Sequence, residues 1–268
     1  MGRVEGKVAF ITGGARGQGR SHAVRLAKEG ADIIVVDLAD HIPNIAYPSA
    51  TEEDLAETVR QVEALDRRII ATKADVRDRG ALKAAIDDGV AQLGKLDIVV
   101  ANAGICVVED WENTSVDVWD QTIGTNLTGV WNTVQLTSRH LIDNGGGSII
   151  MTSSAAGIKG LPFLSAYVAA KHGVVGLMRA YATELAEYSV RVNTIHPTGV
   201  NTPMGEMGNA FGPLLEAHPT VGGMLANLLP IQATEPLDQS NAVLFLASDE
   251  SRFITSLEMT VDAGNTQY

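Results

Sequence analysis

Short apolar runs alternate along the chain with longer stretches whose apolar residues recur every three or four positions, and most runs end in small or polar residues. Lys7 to Thr12, Asp32 to Asp37, Arg68 to Ala74, Leu96 to Ala101, Gly147 to Ser153, Val190 to His196 and Glu258 to Asp262 read as strands, largely buried on both faces. Helical spacing predicts Arg20 to Glu29 and a helix from Glu52 through Leu55, Val59, Val62 and Leu65, with Thr51 as its cap. Further helices are predicted over Arg79 to Leu93, as one long unit over Val116 to Ile142, from about Ala166 to about Tyr188, and over Gln239 to Ala247. Strands alternating with helices at this pitch imply one α/β domain: a doubly wound, seven-stranded, mostly parallel sheet with right-handed crossovers and helices on both faces.

Two stretches break the rhythm. Residues 38–51 carry two prolines and no period, which marks an inserted loop. Residues 204–229 are rich in methionine, leucine, glycine and phenylalanine without a sustained period. Neither is long enough to divide the 268-residue chain, which can bury a substantial core as a single domain.

The hydrophobic fraction of 45% and charged fraction of 19%, without a run of 18 apolar residues, exclude a membrane span and point to a soluble, cytoplasmic protein. A net charge of −12 argues against nucleic-acid or anionic-membrane binding. The single Cys106 is expected to be a buried thiol, and the six histidines lack metal-ligand spacing, so no metal is expected.

The candidate chemistry sits at the carboxyl ends of the predicted strands, where ligands bind in such sheets. Gly13, Gly17 and Gly19, spaced Gly-x-x-x-Gly-x-Gly around Arg16 and Gln18, allow a tight turn and let main-chain N–H groups approach a pyrophosphate. Asp37, 18 residues after Gly19 and followed by Leu38, can hold both adenosine ribose hydroxyls and would repel a 2′-phosphate, favouring NAD. Arg16 pulls the other way, since a cation there can meet that phosphate. Asp75 and Val76 can offer a carboxylate and an N–H to adenine, and Asn102-Ala103-Gly104 permits close approach to a ribose, although it also suits a simple turn. Ser154 leaves the fifth strand, and Tyr167 and Lys171, at i,i+4, share a helical face. Such a pair is also an ordinary helix-surface feature. A tyrosine useful near neutrality needs its pKa lowered by about three units, which a cation at about 4 Å and an effective dielectric of about 20 supplies.

With these residues in order, the chain resembles the short-chain dehydrogenase/reductase family over essentially its whole length, through Thr12-Gly13-x-x-x-Gly17-x-Gly19, Asn102-Ala103-Gly104, Asn126, Ser154, Tyr167, Lys171 and Pro197-Thr198-Gly199-Val200-x-Thr202. The resemblance implies a Rossmann domain with Tyr167 as general acid/base, Lys171 lowering its pKa and holding the nicotinamide ribose, and Ser154 orienting the substrate oxygen. It further implies that Asn126 anchors a relay water, that Thr202 and the Val200 main chain fix the carboxamide beside Pro197 and Gly199, and that residues 204–229 form a mobile lid. That lid's apolar composition also suits an oligomer contact. Gln18 stands where isoleucine is frequent, Thr198 intrudes between proline and glycine, and Ala263 replaces a usual glycine.

The insertion looks like that of the mycofactocin-associated, carveol-dehydrogenase-like branch, which implies a firmly held NAD, an external redox carrier and a small hydrophobic, terpenoid-type alcohol or ketone substrate. A homotetramer is implied by the family alone. An NADPH-linked ketoacyl reductase and a non-catalytic dinucleotide sensor are the alternatives.

Overall fold

The computed structural model describes residues 2–267. Its seven strands are β1 (Val8–Thr12), β2 (Asp32–Asp37), β3 (Ile69–Lys73), β4 (Ile98–Ala101), β5 (Gly147–Thr152), β6 (Val190–Pro197) and β7 (Glu258–Val261). They form one sheet in the order β3-β2-β1-β4-β5-β6-β7. Every neighbouring pair is parallel, so the sheet is wholly rather than mostly parallel. The order reverses between β1 and β4, and a crevice opens there at the carboxyl ends.

Alternate residues of each strand feed two cores. Phe10, Ile34, Val99, Ile149 and Val192 pack on one face with Leu82 and Ile86 of α3 (Arg79–Leu93), Val134 of α5 (Gly129–Asp143) and Met178 of α6 (Ser165–Glu184). Ile11, Ile33, Ile98, Ile150 and Ile195 pack on the other with Leu26 of α1 (Gly17–Lys28), Leu55 of α2 (Glu52–Glu63) and Val243 of α8 (Pro236–Ala247). Burial on both faces explains the nearly continuous apolar runs, each fully buried Ile, Leu or Phe contributing about 1.5–3 kcal/mol.

Several boundaries differ from the sequence expectation. The helix expected over Val116 to Ile142 is α4 (Val116–Ile123), a π-helical turn over Gly124–Thr128, then α5. The wide turn carries Asn126, whose side chain points inward and grips the main chain of Ile105 instead of facing solvent. Helix α1 starts at Gly17, three residues earlier than its spacing predicted, and α6 ends at Glu184 in a short 3-10 turn, Ala186–Tyr188. The 204–229 stretch contains α7 (Gly208–Ala217), none of whose residues is buried, flanked by 3-10 turns. Residues 38–51 form no helix or strand and end at Thr51, which caps α2 reciprocally with Asp54. Among the described residues, no helix is long and apolar enough to cross a membrane.

Candidate active site

The glycine turn is set by main-chain crowding. Gly13 has φ +71°, and a Cβ there would lie 2.9 Å from the Ala103 Cα; one on Gly19 would lie 1.9 Å from the Gly13 carbonyl oxygen. No side chain caps α1 at Arg16, so the N–H groups of its first turn remain open to an anion. Thr12 locks the adjoining strand exits: its hydroxyl accepts the N–H groups of Asn102 and Ala103, each at 3.0 Å. A diphosphate fits this cradle.

The turn opens into a cleft whose wall includes Asp37, Leu38, Asp75, Val76 and Thr202 as well as Gly13, Arg16 to Gly19 and Asn102 to Ile105. The Asp37 carboxylate faces it while accepting N–H bonds from Ala15 (2.9 Å) and Ala39 (3.0 Å). The Arg16 guanidinium, also on this wall, donates to the Pro48 carbonyl of the insertion. Asp75 is likewise engaged. Burial opposes its ionisation, but the Arg77 N–H and guanidinium outweigh that and hold its carboxyl below the usual range.

The insertion is the cleft's outer wall, through His41, Ile42, Pro43, Tyr47 and Ala50. Gln121 of α4 fastens it on one side, donating to the Pro43 carbonyl at 3.0 Å and accepting from Asn44 at 3.1 Å. Tyr47, only 7% exposed, fastens it on the other by accepting the Cys106 N–H at 3.1 Å.

Ser154, Tyr167, Lys171 and Asn126 lie beyond the inner end of this cleft and do not line its main volume. Gly104 is the junction: a Cβ on it would lie 3.3 Å from Asn126 Oδ1 and 3.7 Å from Lys171 Nζ. Ser154 Oγ accepts the Ala156 N–H at 3.1 Å, and its proton can turn to the Pro197 carbonyl at 3.5 Å or to the Tyr167 phenol. Lys171 Nζ lies 5.4 Å from the Tyr167 ring centroid and donates to the Thr152 carbonyl at 2.8 Å. The expectation that this ammonium lowers the Tyr167 pKa is not met by the protein's own atoms. Burial pushes the phenol well above its ordinary value, with a smaller opposing pull from the Ser154 hydroxyl. Burial also lowers Lys171 to about 8. Desolvation dominates both groups in this low-dielectric pocket.

The sequence pattern of the short chain dehydrogenase family matches residues 7–210, about three quarters of the chain. The chain belongs to that family. It is 51% identical over 276 aligned positions to the (−)-trans-carveol dehydrogenase of Rhodococcus erythropolis, covering 99% of each chain. Among solved structures, a short chain dehydrogenase from Mycobacterium paratuberculosis bound to NAD has TM-score 0.98 and 50% identity, with 100% of both chains covered. Carveol dehydrogenase from Mycobacterium avium in complex with NAD has TM-score 0.94, 51% identity and the same full coverage.

In this short-chain dehydrogenase the expected site residues fall into three groups. Those of the glycine turn and of the exits of β2, β3 and β4, with Thr202, line the cleft, the reacting group flanks its inner end, and Pro197, Gly199 and Val200 do not line it. Val200, 7% exposed, pairs with Thr234 in a parallel bridge. Cys106 is the buried thiol expected, 1% exposed, with burial raising its pKa to about 12. Sequence reading missed Tyr47, Arg77, Gln121 and Thr125, which also line the cleft. Tyr47 carried a signal as the only aromatic residue of the insertion; the others carried none.

Proposed function

We propose that this protein is an NAD-dependent oxidoreductase that interconverts a small, hydrophobic, cyclic secondary alcohol and its ketone. The observation that carries the reading is Ser154, Tyr167 and Lys171 converging at the end of a cleft whose mouth holds the Asp37 carboxylate. Asp37 favours free ribose hydroxyls over a 2′-phosphate, and the relatives named for carveol support a terpenoid-type substrate. NAD bound in the cleft supplies the hydride acceptor and a positively charged ring near Tyr167. Ser154 turns its hydroxyl to the substrate oxygen, the Tyr167 phenolate takes the alcohol proton as the carbinol C–H leaves as hydride, and Lys171 stabilises that phenolate beforehand and lies on the path by which the proton is drawn off afterwards. Residues 204–229 close over the substrate. Asn126 holds the Ile105 main chain beside this path, with a relay water as its further role.

The fastened insertion supports a slowly released NAD, with electrons passing on to an external redox carrier of the mycofactocin type. A cytoplasmic homotetramer is the proposed working form. Mass spectrometry of the natively purified protein should find NAD bound, and Tyr167→Phe should slow single-turnover reduction of that NAD by cyclic secondary alcohols by about 100-fold or more. An undiminished rate would sink the mechanism.

A further inference from the structure

We propose that His196 is the positioning residue for Ser154, holding its main chain so that only the hydroxyl proton is free to turn toward substrate. His196 lies on β6, next to Pro197, and is fully buried. Its Nδ1 is 2.8 Å from the Ser154 carbonyl oxygen. A carbonyl only accepts, so Nδ1 carries the ring proton. Nε2 is then an acceptor, and the Thr194 hydroxyl donates to it at 2.8 Å; the other partner of that hydroxyl, the Leu257 carbonyl, is at 3.3 Å. The donors therefore run in one direction, from Thr194 through His196 to Ser154.

The Ser154 carbonyl also accepts the Gly157 N–H at 2.8 Å, and its Oγ accepts the Ala156 N–H at 3.1 Å. Contacts on both sides fix the residue. Burial keeps the ring neutral, the Ser154 carbonyl, Glu258 and Asp262 favouring its charged form and Lys171 opposing it. No other described side chain ties the Ser154 main chain to the strand that leads into Thr202.

His196→Asn places an amide N–H close to the former Nδ1–H, whereas His196→Leu places none. Both variants lose the ring and the Thr194 bond, so their melting temperatures should fall together. With (−)-trans-carveol as the probe, H196L should lose about 30-fold in the single-turnover rate of reduction of bound NAD with NAD affinity unchanged, while H196N stays within about threefold of the natural protein. Equal single-turnover rates in the two variants, or an undiminished rate in H196L, overturns the proposal. A second measurement needs no substrate: 15N spectra of histidine-labelled protein should show His196 protonated at Nδ1 and bare at Nε2 from about pH 6 to about pH 9. A ring protonated at Nε2 overturns it equally. The kinetic arm rests on the oxidoreductase reading. A natural protein that oxidises no cyclic secondary alcohol would refute that reading, and the tautomer would then decide on His196 alone.

Discussion

The phenolic oxygen of Tyr47 accepts the Cys106 N–H at 3.1 Å, tying the insertion to the chain just beyond β4. Burial raises the phenol to about 12, so this bond does not titrate under ordinary conditions. Tyr47→Phe keeps the ring and leaves a buried N–H unpartnered, a loss of about 1–3 kcal/mol. The variant should release NAD about tenfold faster, read from displacement of bound NADH by fluorescence, and Gln121→Ala should add to the effect from the other side. Unchanged off-rates in both variants would show that the insertion does not retain the cofactor.

Asp37 is fixed by the N–H groups of Ala15 and Ala39, so it cannot swing away from a 2′-phosphate. A like-charge contact of this kind costs several kcal/mol. Asp37→Ser should therefore raise NADP affinity relative to NAD by about 100-fold, measured by calorimetry with both dinucleotides. A constant ratio would remove Asp37 as the discriminating residue.

His22 is fully buried, with Nδ1 2.8 Å from the Ser240 hydroxyl and Nε2 without a partner among the described residues. Burial lowers its pKa from 6.5 to about 3. Between those values the unfolded chain binds a proton that the folded chain refuses. Stability is thus complete above pH 6.5 and falls with acidification toward pH 3. His22→Gln should flatten that limb by about 1.4 kcal/mol per pH unit in urea titrations, and an identical slope would rule out His22 as its source.

Lys171 presents the same case at higher pH, its pKa lowered by burial from 10.5 to about 8. Between about 8 and 10.5 the unfolded chain holds more protons, so stability rises with pH through that window and the penalty is complete below it. Lys171→Met, lacking also the bond to Thr152, should make the nucleotide-free protein about 1–2 kcal/mol more stable at neutral pH. The gain should vanish by pH 10.5. Stability equal to or below that of the natural protein at neutral pH would contradict it.

The sequence by itself determined the parts governed by local rules. Runs such as Ile33-Ile34-Val35-Val36, bounded by Asp37, are strands because both sheet faces are covered, and the glycine spacing at 13, 17 and 19 follows from a turn in which a Cβ would strike main-chain atoms. The i,i+4 pairing of Tyr167 and Lys171 is a property of any helix. The fold alone sets the relations between segments distant in the chain: the Arg16 guanidinium bonded to the Pro48 carbonyl, Gln121 fastened to Pro43, and Tyr47 carried across the cleft to Cys106. The inward set of Asn126 belongs with these, since its side chain bonds the Ile105 main chain, 21 residues away. Periodicity records which face of an element is buried. The partner of a hydrogen bond and the desolvation that sets a pKa depend on which elements the fold brings together, and no local pattern encodes that.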